Sequence, residues 1–532
     1  DDKVSSAGCY VLSQFFTTSY TAQTLCNYQS DSGLALEDGE TTVRVAAVPL
    51  AGHGYGPTAS ANNEKRAIES RVTAVANKAP FAADLAAFGG EFAQQIVREP
   101  GRGVPWSPAE LAQQQDKPTQ RARRIQEERF TSDHSGRLKT VSFQKKESYA
   151  KPGDPRLINQ VPTDHTNRLC AFSGAIKQAL KSPNNSRWYS VGKTPLQIAE
   201  GLRGLHRASI RVNGQEHSQL VGGDYSRMDG RTSVAYRIHV LEPVYLRFFA
   251  SKYHDELKQL LSKERNAKTH TRNHGVAADM GGANLSGSGI TTDLNTIDAA
   301  FNEFAARRRV GESPGQAFRN LGMYFGDDSV VRPEIFEGVV AVATECGMKL
   351  EKEKVPEGAS QGYVAFLSRI YPDIQASYMS HPVMVRALKK LCTVAASANC
   401  PDETLRAKLI LKAEAALITD SHVPVLSEYA AALVRVYGSV QTPAGGKELE
   451  RVMEQDREYQ YKRSLGPFPT DDHVELLTSS VAIGLGIPME EVLKLQAELY
   501  SCNSEDHLAT VALECAEGGL PDWARWVPIS GA

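Results

Sequence analysis

The spacing of apolar and polar residues changes period several times along the chain. Residues 1 to about 105 mix short β-type runs such as "TTVRVAAVPL" with Gly/Pro-rich turns, and "NNEKRAIESRVTAVANKA" places Ile68, Val72 and Val75 at helical spacing. Farther on, "QLVGGDYSRMDGRTSVAYRIHVLEPVYLRFF" predicts a buried strand ending near Tyr225, a turn, and a long amphipathic helix. "NLSGSGITTDLNTIDAAFNEFAARRR" predicts a glycine loop feeding a helix, with Thr291 and Asn295 on one face. "LGMYFGDDSVVR" predicts a β-hairpin turning at Gly326 to Asp328, "VVAVATECGMKL" a helix closed by Gly347, and "GYVAFLSRIY" a further strand. After Pro372 the pattern is almost wholly helical, as in "PDETLRAKLILKAEAAL" and "PMEEVLKLQAELY". Strand, helix, helix, hairpin, helix, strand and then a helical region is an α+β order.

A chain of 532 residues exceeds what one core serves, so several subdomains with shared faces are expected. Hydrophobic residues at 41% and charged residues at 23%, without a long low-complexity tract, exclude general disorder. The formal net charge of -2 argues against coating nucleic acid by bulk charge and leaves a local basic channel open. Such a cluster runs from Lys117 to Arg156. Its first half (Arg121, Arg123, Arg124, Arg129) reads equally well as a solvated helix face. In the second half, "SFQKKESYAKPGDPRLI", the Pro-Gly-Asp-Pro turn would fold Lys145 and Lys146 back beside Arg156. The eight cysteines lack CxxC pairs and partnered histidines, which fits reduced thiols and neither a disulfide framework nor a zinc site. No run has the 18 or so apolar residues of a membrane span, and the acidic start is no signal peptide. The first residue is not Met, so the chain is expected to be part of something longer.

The candidate chemistry lies in "MYFGDDSVV". Asp327 and Asp328 follow a glycine between segments that otherwise read as interior. Two carboxylates about 4 Å apart repel by roughly 4 kcal/mol at an effective dielectric near 20, so something positive is expected between them. A Gly-Asp-Asp alone is a weak signal, since Asp-rich turns are common on surfaces. Here Asp224 ends another buried strand upstream, with Asp229 after "YSRM". If the two strands are neighbours in one antiparallel sheet, Asp224 and Asp327 meet at their tips with Asp328 alongside, an oxygen-lined site for two Mg²⁺ (or Mn²⁺) ions. Such a site suits in-line attack of a hydroxyl on a phosphate, and Lys145, Lys146 and Arg156 supply charge for the phosphates of a nucleotide.

Asp224-x4-Asp229, then "SGSGITTDLN" with Ser286, Gly287, Thr291 and Asn295, then Gly326-Asp327-Asp328, resemble motifs A, B and C of viral RNA-dependent RNA polymerases in their usual order. "QKKE" with "PRLI" resembles motif F, "CGMKLEKEK" motif D and "FLSR" motif E. "DYSRMDGR" with "LEPVYLRFF", and "FRNLGMYFGDD", are most similar to replicases of nodaviruses and noda-like viruses. The resemblance spans roughly residues 140 to 372.

It implies a right-hand fold: an antiparallel-sheet palm at 217–250 (motif A) and 284–372 (motifs B to E), fingers at 106–216 with an insertion at 251–283, fingertip elements within 1–105, and a helical thumb at 373–532. It implies that Asp224 and Asp327 bind both metals with Asp328 in support. Asp229 and Asn295 would meet the ribose 2′-hydroxyl, assisted by Thr291 or Ser286, and the glycines of the Ser286–Gly289 loop would allow positive φ and close approach of template or nucleotide. A general acid for pyrophosphate would be Lys349 or Lys352. Implied partners are NTPs, single-stranded RNA template and nascent RNA, with self-association and other replicase domains. The implied location is the host cytoplasm at an organelle membrane, the mitochondrial outer membrane, through parts outside this chain. Arg227 could reach a phosphate or cap its turn. The alternatives are a reverse transcriptase, which usually has a bulky aromatic where Asp229 stands, and a catalytically silent RNA-binding scaffold, against which the three aspartates speak.

Overall fold

The computed structural model describes residues 43–52, 54–58, 60–114, 136–145, 147–396, 400–438, 452–453 and 456–511, with the backbone of 23–24, 27–30 and 524–527. Lys146 and the Arg121 to Arg129 run lie outside the described residues.

At the centre is a four-stranded antiparallel sheet in the order Met323–Phe325, Asp328–Val331, Val221–Tyr225, Leu350–Lys352. Alternation divides its two faces. Val221, Tyr225, Tyr324, Val331 and Leu350 pack into a large core with the helices Thr291–Arg309 and Pro333–Glu345. On the other face Met323 and Val330 pack on Ile198 and Leu202 of the helix Pro195–Asn213 and on Val364 and Phe366. Thr291–Arg309 is buried almost all round, and its polar side chains are absorbed by specific bonds. Glu303 accepts from the Gly322 amide at 2.7 Å and the Tyr324 hydroxyl at 2.5 Å, Asn302 donates to the Tyr225 hydroxyl at 3.0 Å, and Thr296 Oγ1 accepts from the Gly326 amide at 2.8 Å. This helix therefore fixes the hairpin that carries Asp327.

A second sheet runs in the order Leu157–Gln160, Lys139–Gln144, Lys268–Thr271, Ala277–Asp279. Residues 268–279, read from the sequence as an insertion, thus extend a sheet begun more than a hundred residues earlier, by parallel pairing of Lys139 with Lys268. The N-terminal helix Ala61–Ile68, continued by the π-turn Glu69–Thr73, buries Ile68 and Val72, and Val75 is buried in the turn that follows. Beyond residue 383 the helices Met384–Leu391, Asp402–Asp420, Leu426–Gly438, Val474–Leu485 and Met489–Ser501 share a separate core with residues 46–51. No single described helix is long and apolar enough to cross a membrane; one pair bent by 95°, Val474–Leu485 with Met489–Ser501, meets the length and composition requirement together.

Two expectations are corrected and one is refined. The long helix expected after the turn is present as the continuous run Val234–Tyr236, Arg237–Leu241 and Glu242–Phe248, with a π-turn at Arg237–Leu241, and the short helix Met228–Arg231 precedes it. Ser233 caps a new start by accepting from the Tyr236 amide, and Pro243 has no N–H to continue the ladder behind it. "GYVAFLSRIY" is a hairpin, Val364–Phe366 paired with Arg369–Tyr371, whose turn puts Leu367 and Ser368 at φ 55° and 59°. Such a turn ordinarily carries Asn or Gly, so Leu-Ser left no signal. The C-terminal region also contains strands, His381–Pro382 and Thr393–Ala395, which join sheets begun by other segments.

Candidate active site

The hairpin strands end at Phe325 and resume at Asp328, so Gly326 and Asp327 form the turn, with Gly326 at φ 62° where a side chain would be strained. The cross-strand partner of Asp224 is Asp328, and on its other side Glu351. Partners of this kind lie on the same face of a sheet, about 4.5–5.5 Å apart at Cα. Asp328, Asp224 and Glu351 therefore form an acidic row over three strands. Asp327 sits at its tip, its carbonyl accepting from the Tyr225 amide at 3.4 Å. The sequence reading of meeting aspartates is right in substance, but the register partner of Asp224 is Asp328 rather than Asp327.

Asp224, Asp327 and Asp328 line a cavity of about 910 Å³. Asp224 and Asp327 are exposed to the cavity and Asp328 is half-buried, and desolvation by the surrounding walls is the first reason all three titrate high. Asp224 is raised by burial and then by Glu353 and Glu351; Asp327 by burial and then by Asp224 and Asp229. Asp328 is pushed up to about 7 by burial, then by Asp327, Asp224 and Glu353, with Arg386 opposing. No three His, Cys, Asp or Glu side chains among the described residues are already closed around one point. Mg²⁺ is usually bound through one or two carboxylates and completes its shell with water and substrate phosphates. An under-neutralised row of carboxyls at the mouth of a substrate-sized cavity fits such ions.

Lys145 and Arg156 also line the cavity. Their segments are tied by the Lys145 amide donating to the Arg156 carbonyl at 2.8 Å, and both side chains hold Glu147, at 2.8 and 3.3 Å. The expected approach of Lys145 to Arg156 is present. Arg227, at φ 54°, lines the cavity and stands at the N-cap of Met228–Arg231 without a side-chain cap bond; its guanidinium donates to the Ser70 carbonyl at 3.0 Å and pairs with Asp154. Asp154 also binds Arg66 at 2.9 Å, and its carbonyl accepts from Arg71 at 3.1 Å. This buried carboxylate, unnoticed in the sequence, pins the cationic loop to the segment that follows Asp224.

Asp229 is held from both sides. The Ser286 hydroxyl donates to its Oδ2, and Asn295 Nδ2 donates to its Oδ1 at 2.8 Å. All three line the cavity. Thr291 lines it too, but its hydroxyl donates to the Leu285 and Ser288 carbonyls at 2.7 and 3.2 Å, closing the loop into the helix. Gly287 is a correction. Its φ is not positive and it does not line the cavity; a Cβ there would lie 2.1 Å from the Asn159 carbonyl oxygen, so the glycine serves packing of the loop on the second sheet. Asn159 Oδ1 in turn accepts from the Ser286 amide at 3.1 Å.

Strand register separates the two candidate lysines. Leu350 faces the helices, so Lys349 and Glu351 share the face of Asp224 while Lys352 lies on the opposite one. Lys349 is exposed, pairs with Glu351 at 2.5 Å and does not line the cavity as it stands.

In fold the chain is similar to the crystal structure of the RNA-dependent RNA polymerase of a human picobirnavirus, with a TM-score of 0.52 over 78% of this chain and 82% of that one, at 14% identity. In sequence it is related to the RNA-directed RNA polymerases of nodaviruses. It is 29% identical over 503 residues to that of Pariacoto virus, covering 93% of this chain and 48% of the relative. To that of Nodamura virus it is 30% identical over 438 residues, 81% of this chain and 40% of the relative. To that of striped jack nervous necrosis virus it is 30% identical over 393 residues, 73% and 38%. The chain thus spans about half or less of the length of the curated relatives it matches. No family model matches it.

Proposed function

We propose that the chain is the RNA-synthesising part of a nodavirus-like replicase, extending an RNA strand from NTPs on an RNA template and releasing pyrophosphate. The observation that carries this is the in-register row Asp328–Asp224 with Asp327 at its tip, lining one cavity together with Lys145 and Arg156. The central sheet would be the palm, the second sheet with residues 136–217 the fingers, and the helical body beyond residue 383 the thumb.

Asp224, Asp327 and Asp328 would hold two Mg²⁺ or Mn²⁺ ions. Bound there, the ions would activate the attacking 3′-hydroxyl and neutralise charge on the leaving pyrophosphate. Lys145 and Arg156, already partly neutralised by Glu147, would turn to the triphosphate, and Arg386 would sit near Asp328. Asp229, with both oxygens already receiving hydrogen bonds, keeps lone pairs for a sugar hydroxyl and would select ribose. Lys349, released from Glu351, would protonate pyrophosphate. Attachment to an organelle membrane would come through parts outside this chain.

The test is run-off synthesis on an unprimed RNA template with Mg²⁺, offering NTPs or dNTPs. NTP-dependent, template-length product is expected; preference for dNTPs would make it a reverse transcriptase, and RNA binding without synthesis a scaffold.

A further inference from the structure

Behind Asp229 lies a chain of buried polar groups that neither the motifs nor the proposed chemistry account for. Asn295, which donates to Asp229, uses its own Oδ1 to accept from Asn284 Nδ2 at 2.5 Å. Asn284 Oδ1 accepts from Arg237 Nη2 at 2.9 Å. Arg237 is pinned by donating to the Gly282 carbonyl at 2.7 Å and the Ala283 carbonyl at 3.0 Å, and Glu264 stands 3.6 Å away as its counter-ion. Burial alone would raise the Glu264 carboxyl, but His165, Arg237 and Ser288 hold it below its ordinary value. Arg237 and Asn284 are 1% and 2% exposed, so water does not compete for these bonds.

The direction of every bond follows from its far end. A guanidinium has five donors and no acceptor, so Asn284 must present oxygen to Arg237 and its NH₂ to Asn295. Asn295 must then present oxygen to Asn284 and its NH₂ to Asp229. Were Asn295 turned over, two oxygens would face each other at Asp229 and a buried acceptor would be left unpaired. Asn284 also steadies the same residue through the backbone, its amide donating to the Asp229 carbonyl at 2.8 Å.

We propose that Arg237 and Asn284 are positioning residues for sugar selection: the relay Arg237–Asn284–Asn295 locks the amide of Asn295 in the one orientation that donates to Asp229 and holds its carboxylate in place to accept from a ribose 2′-hydroxyl. The inference rests on the reading of Asp229 as the ribose contact. It is tested with Asn284→Asp in the full chain. That change keeps the shape, and Arg237 keeps the new carboxylate ionised, so Asn295 must turn its NH₂ toward it and its oxygen toward Asp229. Single-nucleotide incorporation of ATP and 2′-deoxy-ATP is measured with folding checked by thermal melting. The preference for ATP should fall by about tenfold or more, through a raised KM for ATP, while use of 2′-deoxy-ATP stays within about threefold. If Asn284→Asp does not fold, Asn284→Ala reads the same split. Equal loss with both sugars, or an unchanged preference, overturns the relay. Unaltered protein that incorporates neither sugar overturns the polymerase reading, and the relay with it.

Discussion

Two groups of aspartates lie at and beside one cavity under opposite conditions. At the strand tips Asp224, Asp327 and Asp328 repel one another and titrate high, with Arg156 and Arg386 offsetting only part of the effect. A short distance away Asp229 receives two hydrogen bonds and Asp154 binds arginines. Buried carboxylates are normally satisfied, as the second group is. The first group is charge left for ions that arrive with the substrate, whereas the second is geometry completed before the substrate arrives. Reactivity and selectivity are thus built by opposite means from one residue type.

The largest effect should come from the first group. Asp327→Asn keeps the shape and removes charge, and is expected to lower nucleotide incorporation by at least about a thousandfold, some 4 kcal/mol of barrier, without lowering the melting temperature of the cation-free protein. Equal activity would place the chemistry elsewhere. Next, if Lys349 is the proton donor, Lys349→Ala should reduce kcat by about a hundredfold in single-turnover assays while Lys352→Ala stays within about twofold; the reverse order would contradict the strand register. In the second group, Asp154→Asn frees the loop carrying Lys145 and Arg156. It should raise the KM for NTPs about tenfold with little change in kcat, because an ordered cationic wall contributes to binding before the chemical step. A fall in kcat alone would sever that link.

The smallest effect is on stability. Asp328 titrates near 7, above the usual 3.8, so the folded cation-free protein holds a proton that the unfolded chain has released between these values. The fold is therefore weakened as pH rises from about 4 through about 7, the proton belonging to the coupled cluster rather than to one residue. With chelator present, the melting temperature of Asp328→Asn relative to the unaltered protein should climb by a few degrees over that range and level off above it. A flat difference would mean that the carboxyls do not repel as their burial implies.

The parts of this site that lie within one continuous stretch were legible in the sequence. The hairpin, the helix beginning at Thr291 and the turn at Gly347 follow from periodicity and glycine chemistry. The meeting of Asp224 with the Gly-Asp-Asp turn needed only the assumption that two strands are neighbours. What stayed hidden depends on contacts between distant segments. Asp154 looks like any turn aspartate until Arg66, Arg71 and Arg227 converge on it, and Asn284 precedes the glycine loop without any local mark of its bond to Arg237. Gly287 misled for a similar reason: its sequence context suggests flexibility, while the constraint is the carbonyl of Asn159. The hairpin at 364–371 left no local mark because two residues other than glycine, Leu367 and Ser368, adopt positive φ.

The central claim is that Asp224, Asp327 and Asp328 converge to hold divalent cations at the mouth of the cavity. Anomalous diffraction from crystals of the protein soaked with Mn²⁺ and an NTP tests it most directly. The account predicts Mn²⁺ peaks against the Asp224 and Asp327 carboxylates, with the triphosphate reaching toward Lys145 and Arg156. Mn²⁺ bound only elsewhere, with these carboxylates turned away from a bound nucleotide, would contradict it.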